Sequence, residues 1–277
     1  MRRRFGSAAL ALSLVSALTR AASAQDSVAH DEHDDDHEHG HLHFSHPMVT
    51  ESPSPDTKLR LDYLWGRKDF PTLRLTAHEL RLEGEYAFSP AFSVAVTVPY
   101  VWVVPSGLSG VNGFDNTELS LKAASLRWAE RGLLVGGGMS AGLPTGSDER
   151  GIGTSRAVEL EPFVDLALKR GRLELVGFGH YGTTVRNPAG RDAEREVGLN
   201  GSLLYALAPV VEALIEVESV RDVAPGDEHS TTSLVSPGVK LYPFRNRQLM
   251  AGVSGRIGVG GGATDFRGLL VSAFYHF

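Results

Sequence analysis

Apolar and polar residues alternate along most of this chain. From Val158 to Lys169, Val158, Leu160, Pro162, Val164, Leu166 and Leu168 fall on one face of an extended segment, and Glu159, Glu161, Asp165 and Lys169 on the other. From Val211 to Glu218, Val211, Ala213, Ile215 and Val217 oppose Glu212, Glu216 and Glu218. A period of two is the signature of strands. Twelve such runs can be placed, near 58–66, 76–88, 91–101, 115–128, 132–142, 156–169, 172–184, 194–207, 210–221, 231–243, 248–258 and 265–277.

The connections also alternate. Short ones at Ser89-Pro90, 129–131, Arg170-Gly171, Ala208-Pro209 and 244–247 separate longer ones near 67–75, 102–114, 143–155, 185–193, 222–230 and 259–264. Short turns at one end and long loops at the other are the layout of an outer-membrane barrel. The predicted fold class is therefore all-β: a single transmembrane antiparallel β-barrel of about 12 strands over 58–277. An even strand number puts both termini on the periplasmic side. A soluble sandwich or lipocalin-like barrel shares the period. Loop alternation, small residues such as Gly136 to Gly138, and a last strand ending in Phe277 favour the membrane form. That terminal Phe resembles the signal read by the outer-membrane assembly machinery, which with outer-membrane lipid is an expected partner. Aromatics near strand ends (Tyr63, Trp65, Phe88, Tyr100, Trp102, Trp128, Tyr205 and Tyr242) fit interfacial girdles.

The first residues differ in kind. Arg2 to Arg4, an apolar run from Phe5 to Thr19 and Ala22-Ser23-Ala24 read as a signal peptide over 1–24. The expected location is the outer membrane of a Gram-negative bacterium. The whole chain carries 27 basic and 33 acidic residues, 11 His and no Cys, with a net charge of −6. Loss of Arg2, Arg3, Arg4 and Arg20 would leave 23 bases against 33 acids, a charge of −10. The acidic balance argues against nucleic acid, and the lack of Cys excludes disulfides and thiolate metal sites.

Between Asp26 and His46 lie seven acids and seven His. Residues 25–57 read as a disordered His/Asp-rich tail followed by a Pro/Ser linker, with no periodicity to build a core. Imidazole and carboxylate suit Zn²⁺, Cu²⁺ or Ni²⁺. The candidate ligands are His30, Asp31, His33, Asp34, Asp36, His37, His39, His41, His43 and His46. No geometry is enforced, so weak multisite binding by the tail is expected, with no required cofactor.

If the apolar faces meet lipid, the opposite faces line a lumen. Candidate lining residues are Glu83, Glu85, Glu118, Glu159, Glu161, Asp165, Glu212, Glu216 and Glu218, with Lys122, Arg81 and Arg256. Acids prevail, so a conducting path would favour cations or neutral solutes. A twelve-strand lumen can be open or filled by its own side chains. Enzyme chemistry is not expected: His78, His180, His229 and His276 are scattered, and Gly258 to Gly262 lacks the residues of a phosphate cradle.

Several short motifs occur in a particular order: Val98-Pro99-Tyr100, Gly113-Phe114-Asp115, Leu119 to Lys122, Gly142-Leu143-Pro144-Thr145-Gly146, Gly151-Ile152-Gly153 and Glu161-Pro162. Their order resembles the outer-membrane transporters grouped with the meta-pathway of phenol degradation. The resemblance implies a barrel that aids movement of small, often hydrophobic molecules, with no catalytic residues. The His/Asp tail departs from that pattern and suggests a metal-related variant. The expected function is a channel or transporter for small solutes with a periplasmic divalent-metal-binding tail. The alternatives are a non-conducting structural or sensory barrel that docks a periplasmic partner, and uptake of small hydrophobic or aromatic compounds.

Overall fold

The computed structural model describes residues 44–186, 195–223, 230–244 and 247–277. The signal-peptide reading and nine of the ten candidate tail ligands, His30 to His43, lie outside them. Thirteen strands follow in order: β1 (Lys58–Asp69), β2 (Arg74–Ser89), β3 (Phe92–Pro105), β4 (Val111–Phe114), β5 (Glu118–Ser125), β6 (Leu133–Gly142), β7 (Val158–Arg170), β8 (Leu173–Arg186), β9 (Arg195–Ala208), β10 (Val211–Asp222), β11 (Thr231–Leu241), β12 (Leu249–Gly261) and β13 (Phe266–His276).

Each long strand pairs antiparallel with its neighbours. β1 pairs with both β2 and β13, so Lys58 faces Glu85 on one side and His276 on the other, and the sheet closes. Among the described residues twelve strands form this closed barrel, and β4 is a short addition on β3. The twelve barrel strands are 8 to 16 residues long, and about 9–11 suffice to cross a bilayer.

The side chains are sorted by face. Val164 and Leu199 are 68% and 64% exposed, whereas Glu216 and Lys240 are 0% exposed. Apolar groups thus clothe the outside and charged groups the inside, the reverse of a soluble barrel and the arrangement a lipid surround stabilises. Exposed and half-buried aromatics mark both ends. Phe88 and Phe92 stack at 6.0 Å beside one short turn, and Tyr100 meets Phe114 at 4.9 Å near the loop end.

Three expectations need correcting. The strand expected over 115–128 stops at Ser125, and Leu126–Arg131 is a 3₁₀ helix closed by Gly132 at φ 73°, a left-handed position that suits glycine. Strands β11 and β12 end and begin at Leu241 and Leu249, so this turn is longer than the opposing loop between Asp69 and Arg74. Tyr242 is no girdle residue. It is buried and donates its hydroxyl to Glu212 at 3.2 Å.

Candidate functional site: a plugged, acid-lined lumen

The largest departure from the sequence reading is the segment 44–57. Its Pro/Ser-rich part, 47–56, is expected to be an extended linker separating the tail from the barrel. In the structure Phe44, Met48, Val49, Thr50 and Ser52 are 0% exposed, and the segment runs inside the barrel. Its end is fixed at the short-turn rim, where Phe277 N–H donates to the Thr57 carbonyl at 3.1 Å and His276 Nδ1 lies 2.6 Å from Asp56.

What holds it is the lumenal charge. The Glu216 carboxylate accepts the backbone N–H groups of Met48, Val49 and Thr50 at 3.1, 3.0 and 2.9 Å, and the Ser202 hydroxyl at 2.8 Å. A carboxylate that accepts several N–H groups is a strong anchor. Arg60 donates to the Met48 carbonyl at 2.7 Å, stacks over Phe274 at 4.6 Å and pairs with Asp62 at 2.7 Å. Lys240 donates to the His46 carbonyl at 2.6 Å and pairs with Glu212 at 2.6 Å. Ser45 N–H reaches Glu174 at 2.6 Å and its hydroxyl reaches Glu212 at 2.8 Å. Glu51 pairs with Lys122, which also lies 3.5 Å from Glu85. Glu85 also accepts the Asp56 N–H at 3.2 Å, so partners on β1, β2, β5, β8, β10 and β11 grip the segment from around the wall. Its apolar side chains Phe44, Met48 and Val49 pack with Leu64, Leu134, Ala167, Val176, Leu204, Leu214 and Leu270 in the main buried apolar cluster.

His46 belongs to this plug and is 1% exposed, and it is the one candidate tail ligand among the described residues. Its Nε2 lies 3.8 Å from Asp56 and its ring 5.5 Å from that of His276. Burial holds its pKa well below the ordinary 6.5, and the charges of His276, Lys58, Lys240 and Lys122 push the same way. Burial raises Glu51, against the pull of Lys122.

Of the twelve candidate lining residues, nine are buried inside the barrel: Glu83, Glu85, Asp165, Glu212, Glu216, Glu218, Lys122, Arg81 and Arg256. Several are ion-paired across or along strands, as in Arg81 with Glu79 at 2.7 Å and Arg256 with Glu218 at 2.6 Å. Glu118, Glu159 and Glu161 are half-buried towards the loop end. A cavity of about 30 Å³ remains above the plug, lined by Glu51, Glu83, Glu85, Glu118, Lys122 and Glu161 among others. That is room for roughly two waters.

Near the loop end the structure brings together three residues far apart in sequence. Glu161 on β7, His180 on β8 and Glu196 on β9 offer ligand atoms within 4.8 Å of one another. His180 Nε2 lies 3.9 Å from Glu161 Oε2 and 3.8 Å from Glu196 Oε1. The register makes the cluster. His180 pairs with Gly198 and Gly182 with Glu196. The His180 ring occupies the space a Cβ on residue 198 would need, and a Cβ on residue 182 would come within 2.9 Å of Glu196. The β7–β8 ladder pairs Leu160 with Thr183 and Phe163 with His180, which sets Glu161 level with Gly182. Sequence reasoning reads His180 as a solitary wall histidine. Inward parity and the two facing glycines are the signals that place acids beside it.

Known structures share this architecture. The COG4313 outer membrane channel from Pseudomonas putida F1 aligns with a TM-score of 0.62 at 15% identity, over 82% of this chain and 97% of that one. The NanC porin aligns with a TM-score of 0.51 at 11% identity, over 78% of this chain and 98% of that one. The chain thus has the fold of outer-membrane barrel channels. No protein-family model and no curated protein matches the chain.

Proposed function

We propose that the protein is a non-enzymatic outer-membrane channel for small solutes whose resting lumen is closed by the segment 44–57. The observation that carries this reading is the way the segment is held. It adds no strand to the sheet, and side-chain contacts from the wall grip it, so it can leave without breaking the barrel. The cleared path would be lined by more carboxylates than cations, which favours cations or neutral solutes over anions. The likeness to the COG4313 channel and the NanC porin supports the channel class. The short turns at the rim where Phe277 bonds to Thr57 support that rim as the periplasmic side.

In this reading residues 30–43 bind Zn²⁺, Cu²⁺ or Ni²⁺ weakly and, being continuous with the plug, couple cation concentration to its docking. The motif order shared with the phenol-degradation transporters supports hydrophobic or aromatic solutes as the alternative cargo. The test is conductance of the mature protein in planar bilayers with and without Zn²⁺, in asymmetric KCl to read selectivity. Cation-selective openings support a channel. Silence under all conditions, also after the plug is displaced, favours the second reading that the filled lumen invites: a structural barrel that docks a periplasmic partner.

A further inference from the structure

We propose that Glu161, His180 and Glu196 form a binding site for a divalent transition-metal ion of the Zn²⁺ class, on the lumenal wall across β7, β8 and β9. This goes beyond the channel reading and holds whether or not the barrel conducts. It is also separate from the tail, because all three ligands belong to the barrel wall.

The geometry comes first. One imidazole nitrogen and two carboxylate oxygens converge within 4.8 Å, with the His180–Glu161 and His180–Glu196 separations at 3.9 and 3.8 Å. Two donors about 2.1 Å from an ion at a tetrahedral angle stand about 3.4 Å apart. About half an ångström of glutamate side-chain motion closes the two differences from His180, and the two carboxylates, within 4.8 Å of each other, approach by side-chain rotation. The imidazole needs to move little. It is 6% exposed as a residue, lies over Gly198 and packs 5.4 Å from the Phe178 ring. The two glycines are built into this arrangement, since side chains at 182 and 198 would take the space of Glu196 and His180.

Charge points the same way. Two carboxylates drawn together in a partly buried place repel, and a divalent cation between them relieves that repulsion. The donor set selects the metal. A nitrogen with two oxygens suits Zn²⁺, with Cu²⁺ and Ni²⁺ as competitors, whereas Ca²⁺ and Mg²⁺ call for oxygen-rich shells of six or more. Three protein ligands leave a fourth position open to water or to an exchanging ligand.

Position gives the site a use. Glu161 lines the cavity that also touches Glu51 of the plug. The triad lies in the loop-end half and the plug in the turn-end half, so an ion entering from the loop end meets the triad first.

The competing arrangement is a protonated His180 bridging two carboxylates with no metal. The test uses the whole mature chain in detergent, stripped with chelator and titrated with Zn²⁺ by calorimetry. His180→Gln and Glu196→Gln variants are treated alike, and Zn²⁺-soaked crystals are measured at the zinc absorption edge. Tail sites are common to all three proteins, so the difference isolates the wall. The expected result is an anomalous peak bonded to His180 and at least one of the two glutamates. Each variant should lose one equivalent of Zn²⁺, or at least tenfold in affinity at one site. Heat-modifiable gel migration verifies that each barrel is folded, and Glu196→Gln serves if His180→Gln is not. Equal stoichiometry and affinity in all three proteins, with no peak at the triad, would overturn the proposal in favour of the ion triad.

Discussion

Glu216 on β10 accepts the backbone N–H of Thr50 at 2.9 Å, the shortest of three such bonds it makes to the segment inside the lumen. A wall carboxylate is therefore doing for the plug what a neighbouring strand would do for a strand. Removing it leaves three buried N–H groups to find new partners. Hydrogen bonds to a charged group are worth about 1.5–3 kcal/mol each, with strong non-additivity. Glu216→Ala is expected to weaken docking of 44–57 by on the order of 3 kcal/mol while the barrel persists. Limited proteolysis should show faster cleavage within 44–57 and unchanged heat-modifiability. An unchanged cleavage rate would mean that the apolar contacts of Met48 and Val49 suffice alone.

Docking should also weaken in mild acid. His46 is held well below its ordinary pKa of 6.5, so the docked segment carries it neutral while the released segment takes up a proton below about pH 6.5. Its contribution to docking is thus present above that pH and fades as the pH falls through it. Asp56 and His276 beside it, with Lys58, Lys240 and Lys122 around it, set the local field. Between pH 7.5 and pH 5, plug release should rise in the native protein and rise less in His46→Gln. Equal pH dependence in the two would assign the effect to other groups.

The outer face makes an independent prediction. Val164 is 68% exposed on β7, next to buried Asp165. Placing Arg at a lipid-facing position costs about 2–4 kcal/mol near the bilayer centre and less near the interfaces. Val164→Arg should therefore destabilise the barrel in lipid-vesicle unfolding measurements, whereas Val164→Leu should be near neutral. A negligible effect of the Arg would place Val164 outside the hydrocarbon.

The barrel was legible because alternation is a local signal. In β7 the order Val164, Asp165, Leu166 states which residue faces out and which faces in, and only the choice between lipid and a soluble core needed further cues. The plug was not legible for the opposite reason. Ser45, Met48 and Thr50 meet Glu174, Glu216 and Ser202, more than a hundred residues away, and a run of Pro, Ser and Glu reads locally as a solvated linker. The lumenal acids could be assigned to a face but not to a task. Glu216 as an anchor and Glu161 and Glu196 as neighbours of His180 emerge only from register, which a one-residue slip would reverse. The helix over Leu126–Arg131 was missed although Gly132 after it is a familiar stop signal, since the apolar Leu126 and Trp128 continue the strand pattern.

A channel closed by its own segment is tested most directly by locking that segment. The chain has no Cys, and the Ser202 hydroxyl contacts that of Thr50, so Thr50→Cys with Ser202→Cys places two thiols within bridging reach. In planar bilayers the oxidised protein should be silent, and reduction should produce cation-selective openings in the same membrane. Conductance that is equal in the oxidised and reduced states would contradict closure of the lumen by residues 44–57.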